Sequence, residues 1–431
     1  MSSSDTIVAV STPAGVGGIA VVRLSGPDAL AIAVGHLSVD TLAPRHATLC
    51  RFDDIDEVVA LYFPKGYTCE PTVEFSCHGS LYVQRAVVEA LVDSGARMAE
   101  SGEFTLRAVR NGRLDLSQAE AVADLLDAST PAQHRLAISQ LRGGYAQRLK
   151  EMRQQLLDLT SLLELELDFS QEDVEFADRH ELRRLLKQLM EHVSRLVDSF
   201  ALGNALKRGV PVAIAGEPNA GKSTLLNALL DDDRAIVSAV PGTTRDTIEE
   251  ALTIGGVTFR LVDTAGIRQA ADEVEALGVE RSQRAVADAT LVLCLHDCTQ
   301  PWREPDVSLE GKKTIHILSK TDLPHTQPSV PHLSLSAKTG EGIEELKAAM
   351  VEAVGDMDKG DVLLTNARHR EALVRMRQAL ANAAEGLAAQ MPADLVAVDL
   401  RDALYHLGTV TGEVANDEIL GNIFSRFCVG K

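Results

Sequence analysis

The sequence predicts a multidomain protein of the α/β plus α class, in which an α+β domain is followed by a helical domain that a doubly wound α/β domain interrupts. Three patterns predict this. Apolar and polar residues alternate in short runs at the start, apolar residues three or four apart indicate long helices in the middle and at the end, and strands alternate with helices in between. The predicted domains are residues 1–114, 115–207, 208–359 and 360–431, of which the second and fourth form one helical domain.

The composition is that of an ordinary globular protein. The chain has 431 residues, enough for about three domains of ~150 residues each. Its net charge of −20 argues against a protein that coats nucleic acid non-specifically, because neutralising phosphates requires a basic surface. No apolar run approaches the ~18 residues of a membrane span, and no charged leader precedes the first strand, so we expect a cytoplasmic protein with no membrane segment. The six cysteines form no CxxC pair, which indicates reduced thiols.

The first domain is predicted to hold a sheet with one or two helices. The predicted strands are TIVAV, GIAVVRLSG, HATLCRF, EVVALYF and TVEFSCHG, and the helix SLYVQRAVVEALVDSG (80–95) follows them. In the last strand the apolar side chains alternate with polar ones, so that Glu74 shares a polar face with its second neighbours along the strand. The helical domain is predicted to begin with one unbroken amphipathic helix from Ile138 to Leu163 and a second from Leu182 to Phe200.

A phosphate-binding loop is predicted at the start of the third domain. The segment GEPNAGKS (216–223) matches G-x-x-x-x-G-K-[ST], follows an apolar strand and opens a helix. Glycines let backbone N–H groups surround a phosphate, Lys222 adds a positive charge, and Ser223 is suited to bind Mg²⁺. This context predicts a nucleotide-binding site.

Three further segments indicate that the nucleotide is GTP. DTAG (263–266) ends a strand, which places Asp263 near a metal-bound water and Gly266 near the γ-phosphate. SKTD (319–322) offers a carboxylate to the two N–H groups of guanine, and SAK (336–338) offers a backbone N–H to its oxygen. In order and spacing these segments resemble the Ras-like GTPases. Ser319 replaces the usual Asn of N-K-x-D, and we expect the lost amide bridge to weaken binding by ~1 kcal/mol.

The pattern alone does not identify the residue that activates the attacking water or the group that neutralises charge on the phosphates. Ile267 stands where many small GTPases have a water-orienting Gln, so a substitute is expected among Asp272, Glu273 and Glu275. Thr244 is the natural second Mg²⁺ ligand, and no arginine is obviously placed as a charge-stabilising finger. A bound monovalent cation near Asn219 is a hypothesis for that missing charge.

Several segments together resemble the tRNA uridine-modification GTPases of the MnmE/TrmE family. They are DTIVAVSTPAGVGGIAVVRLSG, VEFSCHGS, GEFTLRAVRNGRLDLSQAEAVADLLDA, PGTTRD, DTAGIR and the terminal FCVGK. The resemblance spans the whole chain. It implies a tetrahydrofolate-binding N-terminal domain, a discontinuous helical domain and an inserted Ras-like P-loop GTPase domain.

The resemblance also implies the ligands of the GTPase domain. Among the three carboxylates, Glu275 matches the family's water-activating glutamate. Mg²⁺ would lie on Ser223 and Thr244, and K⁺ on Asn219, Ser238, Val240 and Thr243. With these, the residues expected to contact GTP are Asn219, Ala220, Gly221, Lys222, Ser223, Thr224, Ser238, Ala239, Val240, Pro241, Gly242, Thr243, Thr244, Asp263, Thr264, Ala265, Gly266, Ser319, Lys320, Asp322, Ser336, Ala337 and Lys338.

The same resemblance implies the cofactor and partners. The folate, 5,10-methylene- or 5-formyl-tetrahydrofolate, would be held by Arg23, Glu74, Arg113 and Lys431, and Cys428 is a possible reactive thiol. The family forms homodimers and acts with an FAD-dependent partner protein, which implies a heterotetramer, on the 5-position of the wobble uridine of certain tRNAs. Two rival functions are a GTP-switched ribosome-assembly factor and a dynamin-like structural GTPase. Neither rival explains the N-terminal domain or the terminal CVGK.

Overall fold

The computed structural model divides the chain into two compact units. The first is made of Met1–Leu126, Gln140–Gln154 and Leu404–Lys431, and the second of Asp127–Ser139 and Gln155–Ala403. The four predicted domain ranges stay a prediction. The residues that the structure describes are 5–168, 179–231, 250–261, 283–303, 308–324, 328, 330–354, 363–414, 420, 423–424, 427 and 430.

A six-stranded sheet forms the centre of the first unit. Its strands are β1 (Ile7–Val10), β2 (Ile19–Ser25), β3 (Ala47–Phe52), β4 (Asp56–Phe63), β5 (Thr72–His78) and β6 (Arg97–Met98). The strand order is β3-β4-β5-β2-β1-β6, and neighbouring strands are antiparallel, except that β6 runs parallel to β1. The five predicted strands are all present, and the two-residue β6 is an addition to them.

The two faces of this sheet differ in polarity, as the alternation in the sequence predicts. On one face, Val73, Phe75 and Cys77 are buried in a core that helices α1 (Ala29–Gly35) and α2 (Leu81–Asp93) complete. On the other face, Arg23 of β2 lies directly opposite Glu74 of β5. A third helix, α3 (Glu103–Arg110), follows β6, so the expectation of one or two helices was too low.

The predicted unbroken helix from Ile138 is interrupted. Gly143 takes a φ of +86°, a left-handed conformation that ends one helix and lets the next begin. The stripe that is fully buried therefore starts at Tyr145 rather than at Ile138. The helices of this part of the chain are α4 (Leu116–Asp127), α5 (Pro131–Leu141), α6 (Gly144–Asp168), α7 (Arg179–Asp198) and α8 (Phe200–Arg208).

Later helices complete the bundle of the second unit. Helix α7 packs against α11 (Ala367–Ala388), and Arg183 of α7 donates to the carbonyl oxygen of Leu387 at 2.8 Å. The last long helix is α12 (Ala393–Thr411). Within the described ranges, no helix combines the length and the apolar character needed to cross a bilayer.

The second unit contains a second six-stranded sheet. Its strands are β7 (Val210–Gly216), β8 (Glu250–Ile254), β9 (Val257–Leu261), β10 (Leu291–Asp297), β11 (Lys313–Ser319) and β12 (Leu333–Ser334). The strand order is β12-β11-β10-β7-β9-β8, and the sheet is parallel except for β8. Helices α9 (Lys222–Asp231) and α10 (Ile343–Val354) follow β7 and β12, respectively, and pack against its core. Because parallel strands end at the same edge, the loops after β7, β10, β11 and β12 come together there.

Candidate nucleotide-binding site

The loop between β7 and α9 has the backbone geometry of a phosphate cradle. Gly216 takes a φ of +150°, and a Cβ there would lie 2.5 Å from the carbonyl oxygen of Leu295, so no larger residue fits. Asn219 and Gly221 also have positive φ values, +66° and +96°. Helix α9 begins at Lys222, and its first turn presents free backbone N–H groups and the positive end of the helix dipole to an anion.

Lys222 is held at the mouth of this loop. Its ammonium donates to the carbonyl oxygens of Gly216 at 2.7 Å and Glu217 at 3.0 Å. Burial lowers the pKa of Lys222, because desolvation disfavours the charged form. A bound phosphate would offset that cost with its own negative charge. Ser223 and Thr224 are exposed in the first turn of α9, where a hydroxyl is available to a divalent cation.

Two loops lie on the side of the site where the base is expected, 319–322 after β11 and 336–338 after β12, and we call them the base-side loops. Ser319 connects the first of them to the phosphate loop between β7 and α9. Its hydroxyl is buried, lies 2.7 Å from the carbonyl oxygen of Ala220 and 3.0 Å from that of His296, and donates to these carbonyls. The serine hydroxyl thus joins the first base-side loop to the phosphate loop, although its side chain is shorter than that of the usual Asn. The expectation of weaker affinity stays a prediction.

The next residues of this loop are fixed by short-range contacts. Lys320 takes a φ of +61°, and its ammonium pairs with Asp297 at 2.6 Å. Burial raises the pKa of Asp297, but hydrogen bonds from Lys320 and Thr299 outweigh burial and hold the pKa below its usual range. The paired carboxylate therefore orients Lys320 beside the loop.

Asp322 is oriented by the following loop. Its Oδ1 accepts a hydrogen bond from the hydroxyl of Ser336 at 2.8 Å, and Ser336 is fully buried. A carboxylate has lone pairs for about four hydrogen bonds, so the bond to Ser336 leaves capacity for two donors of a base. The backbone N–H of Thr321 donates to Leu335, which joins the two loops. Ala337 and Lys338 follow at the more exposed end.

The remaining predicted contacts of the nucleotide lie outside the described residues. The same holds for the catalytic candidate and for two residues near the C-terminus. These residues are Ser238, Ala239, Val240, Pro241, Gly242, Thr243, Thr244, Asp263, Thr264, Ala265, Gly266, Glu275, Cys428 and Lys431.

The predicted folate residues in the first unit lie around one aromatic ring. Arg23 donates from Nε to Glu74 Oε1 at 2.8 Å, and its guanidinium carbon lies 5.5 Å from the centroid of Tyr67. Arg113 lies at the same distance, 5.5 Å, from this ring and donates to the carbonyl oxygen of Gly66. The structure thus brings Arg23, Glu74 and Arg113 together. Tyr67 was not predicted as a site residue. The only feature of the sequence that could have drawn attention to it is the scarcity of aromatic residues, since the chain has five tyrosines in all.

The C-terminal end of the chain is docked on the first sheet. The hydroxyl of Ser11 donates to the carbonyl oxygen of Gly430 at 3.1 Å. Gly430 is buried with a φ of +99°, and a Cβ at this position would overlap the carbonyl of Val10. Ser11 follows β1, and its N–H bonds to Val21 of β2, the strand that carries Arg23.

Basic side chains on the helices form ion pairs with neighbouring carboxylates. Arg184 pairs with Glu181 within α7, and Arg375 pairs with Glu371 at 2.6 Å within α11. These contacts are typical of solvated helix faces, so they do not indicate a strongly basic nucleic-acid surface.

The parallel sheet, the cradle with Lys222 and the two base-side loops define a P-loop GTPase. Two family models together match nearly the whole chain. The family model described as MnmE helical domain matches residues 116–428, and the one described as GTP-binding protein TrmE N-terminus matches residues 6–113. The chain belongs to the MnmE family of tRNA modification GTPases.

Individual proteins are similar over the full length. The tRNA modification GTPase MnmE of Christiangramia forsetii is 45% identical over 474 residues, which cover 100% of both chains. The protein of the same name from Parabacteroides distasonis is 45% identical and covers 99% of this chain and 100% of its own. Among solved structures, the G domain of the T. maritima FeoB iron transporter is 27% identical, covers 33% of this chain and 98% of its own, and has a TM-score of 0.24.

Proposed function

We propose that this chain is a K⁺-dependent GTP hydrolase that modifies tRNA together with an FAD-dependent partner protein. The product is a carboxymethylaminomethyl-type group on the 5-position of the wobble uridine, with one carbon supplied by tetrahydrofolate. The observation that carries the proposal is that this chain contains both a phosphate cradle and a separate site with two arginines around Tyr67. Its full-length relatives are named tRNA modification GTPases.

Each half of the nucleotide site has a role in this proposal. Lys222 and the α9 N-terminus bind the phosphates, while Asp322, oriented by Ser336, accepts the two guanine N–H groups. Ser223 and Thr244 hold Mg²⁺, which neutralises phosphate charge. The K⁺ ligands are Asn219, Ser238, Val240 and Thr243, and Glu275 orients the attacking water. The left-handed backbone at the exposed Asn219, within the cradle, is compatible with its role as a cation ligand.

The chemistry of the Tyr67 site suits a folate. Two guanidinium groups can bind carboxylates, Glu74 can accept N–H groups of a pterin, and an aromatic ring can stack on a flat heterocycle. Docking of Gly430 beside β1 supports the inclusion of the terminal Lys431 in this site. The family's one-carbon donor, 5,10-methylene- or 5-formyl-tetrahydrofolate, is therefore proposed to bind Arg23, Glu74, Arg113 and Lys431.

Binding of 5-formyltetrahydrofolate to Arg23 variants tests the folate part of the proposal. Arg23→Ala should weaken binding at least tenfold in calorimetry (about 1.4 kcal/mol), and Arg23→Lys should retain part of it because the charge remains. Arg85→Ala is the matched control, since Arg85 is exposed and pairs with Glu89 on α2. Equal affinity of wild type and Arg23→Ala would remove Arg23 from the site.

A homodimer formed through the first unit is part of the proposal. Apolar side chains are exposed on that unit, among them Ile19 at 69%, Leu49 at 66% and Val59 at 37%. Leu49 and Val59 lie directly opposite each other on β3 and β4, and a contiguous exposed apolar patch is typical of a protein–protein interface. The dimer would combine with the FAD-dependent partner as a heterotetramer in the cytoplasm, and the partner would supply much of the tRNA-binding surface because this chain carries a charge of −20.

Nucleoside mass spectrometry of tRNA tests the function as a whole. Cells that lack the gene should lose the 5-substituted wobble uridine, and wild type should restore it. Lys222→Ala should fail to restore it because the phosphate contact is lost, whereas Lys347→Ala on α10 should restore it fully. An unchanged nucleoside profile in the deletion strain would refute the tRNA function and favour the ribosome-assembly alternative.

A further inference from the structure

Three side chains with metal-binding atoms share one face of the second sheet. Cys294 and His296 are two residues apart on β10 and therefore point to the same side. His316 of β11 lies directly opposite Cys294 in the parallel register. The sulfur and the ring nitrogens of these residues all lie within 4.8 Å of one another.

The spacing of the two imidazoles matches that of ligands on a tetrahedral metal ion. His296 Nε2 and His316 Nδ1 are 3.3 Å apart and hydrogen-bonded to each other. A tetrahedral Zn²⁺ with Zn–N bonds of about 2.0–2.1 Å holds two nitrogens about 3.3–3.4 Å apart. In such a tetrahedral site the thiol sulfur lies about 3.6 Å from each nitrogen, and the Cys294 sulfur is already within 4.8 Å of both.

The donor set selects the class of metal. One thiol and two imidazoles favour borderline-soft divalent ions such as Zn²⁺, whereas Mg²⁺ and Ca²⁺ require oxygen ligands. Within the described ranges, this group contains no carboxylate. The fourth position of a tetrahedral ion would be filled by water. Binding converts the thiol to a thiolate and releases one proton to solvent.

The surroundings orient the imidazoles and partly bury them. Cys294 is fully buried and His296 is 9% exposed. The ring of Trp302 stacks on His296 with centroids 3.6 Å apart. The centroids of His316 and His332 lie 5.7 Å and 6.2 Å from that of Trp302. Rings held in this way resist rotation, so ligand geometry is largely pre-formed.

We propose that Cys294, His296 and His316 form a binding site for a zinc-class divalent metal ion, separate from the cations of GTP hydrolysis. The site lies on the two strands that end in Asp297 and Ser319, directly before the first base-side loop. A bound metal would clamp β10 to β11 at this point and stabilise the second unit by binding only its folded form. The proposal does not depend on the reaction that the GTPase drives.

Cobalt titration of the full-length, metal-free protein tests the site. We expect one equivalent of Co²⁺ to produce the intense visible absorption of a tetrahedral ion and a thiolate-to-metal charge-transfer band. Because Trp302 is the only tryptophan in the chain, the same titration should quench its fluorescence. Zn²⁺ should displace Co²⁺ and raise the unfolding temperature of the protein.

Variants separate the site from adventitious binding. Cys294→Ser should abolish the charge-transfer band. His316→Gln removes a direct ligand, so it should weaken Co²⁺ binding more than 100-fold, beyond the about 10- to 100-fold loss of affinity that is typical when a residue hydrogen-bonded to a ligand is changed. Cys298→Ser is the matched control, since this buried cysteine on the same sheet edge donates to the carbonyl of Lys320 and lies outside the cluster; it should leave the band intact. Wild-type protein that shows no tetrahedral cobalt spectrum, or a band that persists in a folded Cys294→Ser variant, would overturn the proposal.

Discussion

At the scale of single residues, Ser319 shows how a short side chain can replace a longer one. Asn is usual at this position, and the serine hydroxyl cannot reach as far. The buried hydroxyl nevertheless reaches Ala220, 99 positions earlier in the chain, because β11 and the phosphate loop meet at one sheet edge. Its second neighbour, the carbonyl of His296, belongs to the strand between them.

Removing this hydroxyl should weaken guanine-nucleotide binding. Ser319→Ala leaves the buried carbonyl of Ala220 without its donor, which costs about 1–3 kcal/mol, so we expect binding of a fluorescent GDP analogue to weaken by about 5- to 160-fold. Ser334→Ala, at an exposed position of β12, is the control and should bind as wild type does. Unchanged affinity in Ser319→Ala would show that the bridge does not organise the site.

At the scale of elements, two glycines within helices differ in how much space a larger side chain would have. In α8, a Cβ at Gly203 would overlap the carbonyl oxygen of Leu364 and lie 2.9 Å from its carbonyl carbon. In α11, a Cβ at Gly386 would lie 3.1 Å from Val396 Cγ2 and 3.5 Å from Met391 Sδ, which are the ends of side chains. Backbone atoms cannot move as easily as the end of a side chain. Of these two positions, therefore, packing requires glycine at Gly203 but not at Gly386.

Alanine should therefore have opposite effects at the two sites. Helix propensity favours alanine over glycine by ~1 kcal/mol at both. At Gly203 the overlap should dominate, and Gly203→Ala should destabilise the protein by about 1–3 kcal/mol, whereas Gly386→Ala should be neutral or slightly stabilising. Chemical denaturation followed by circular dichroism measures both. A Gly203→Ala variant as stable as Gly386→Ala would contradict the close approach of α8 to Leu364.

At the scale of the whole molecule, the first unit is tied together by a network of charges from distant parts of its chain. Arg97 and Arg107 both contact Asp5 and Glu103. Burial raises the pKa of Glu103, but hydrogen bonds from Arg97, the Glu100 backbone and Arg107 outweigh it, so the net pKa is lowered. The pKa of Asp5 is lowered by the same two arginines against the effect of burial.

Acid should weaken this unit selectively. A carboxyl whose pKa is lower in the folded state stabilises the fold above its unfolded pKa, and this stabilisation is lost as pH falls through the folded pKa. Glu103→Gln should cost about 2 kcal/mol at neutral pH, and the difference from wild type should shrink below about pH 4.5. Hydrogen exchange across β1 and β6 measures this effect.

The exposed pair of Glu89 and Arg85 provides the control for this pH dependence. Glu89 is 58% exposed, so Glu89→Gln should change stability little at any pH. A difference between wild type and Glu103→Gln that stays constant from pH 7 to pH 3 would show that the network is not the source of acid sensitivity.

Local patterns predicted the parts of the molecule that depend on near neighbours in sequence. The phosphate cradle, five of the six strands of the first sheet and the buried stripe of α7 follow from spacing and residue type, which act within a few residues. The break at Gly143 was missed because the apolar spacing continues across it, while the backbone changes direction at a single left-handed residue.

The pairing of distant groups was decided by tertiary structure. Tyr67 lies between Arg23 and Arg113, Gly430 docks on Ser11, and Cys294, His296 and His316 converge, because sheet register places segments far apart in sequence side by side. Sequence periodicity shows which face a side chain occupies but not which strand becomes its neighbour. The sequence was thus sufficient for the class of protein and its nucleotide, whereas the bridge from Ser319 and the metal-binding cluster exist only once the strands are ordered.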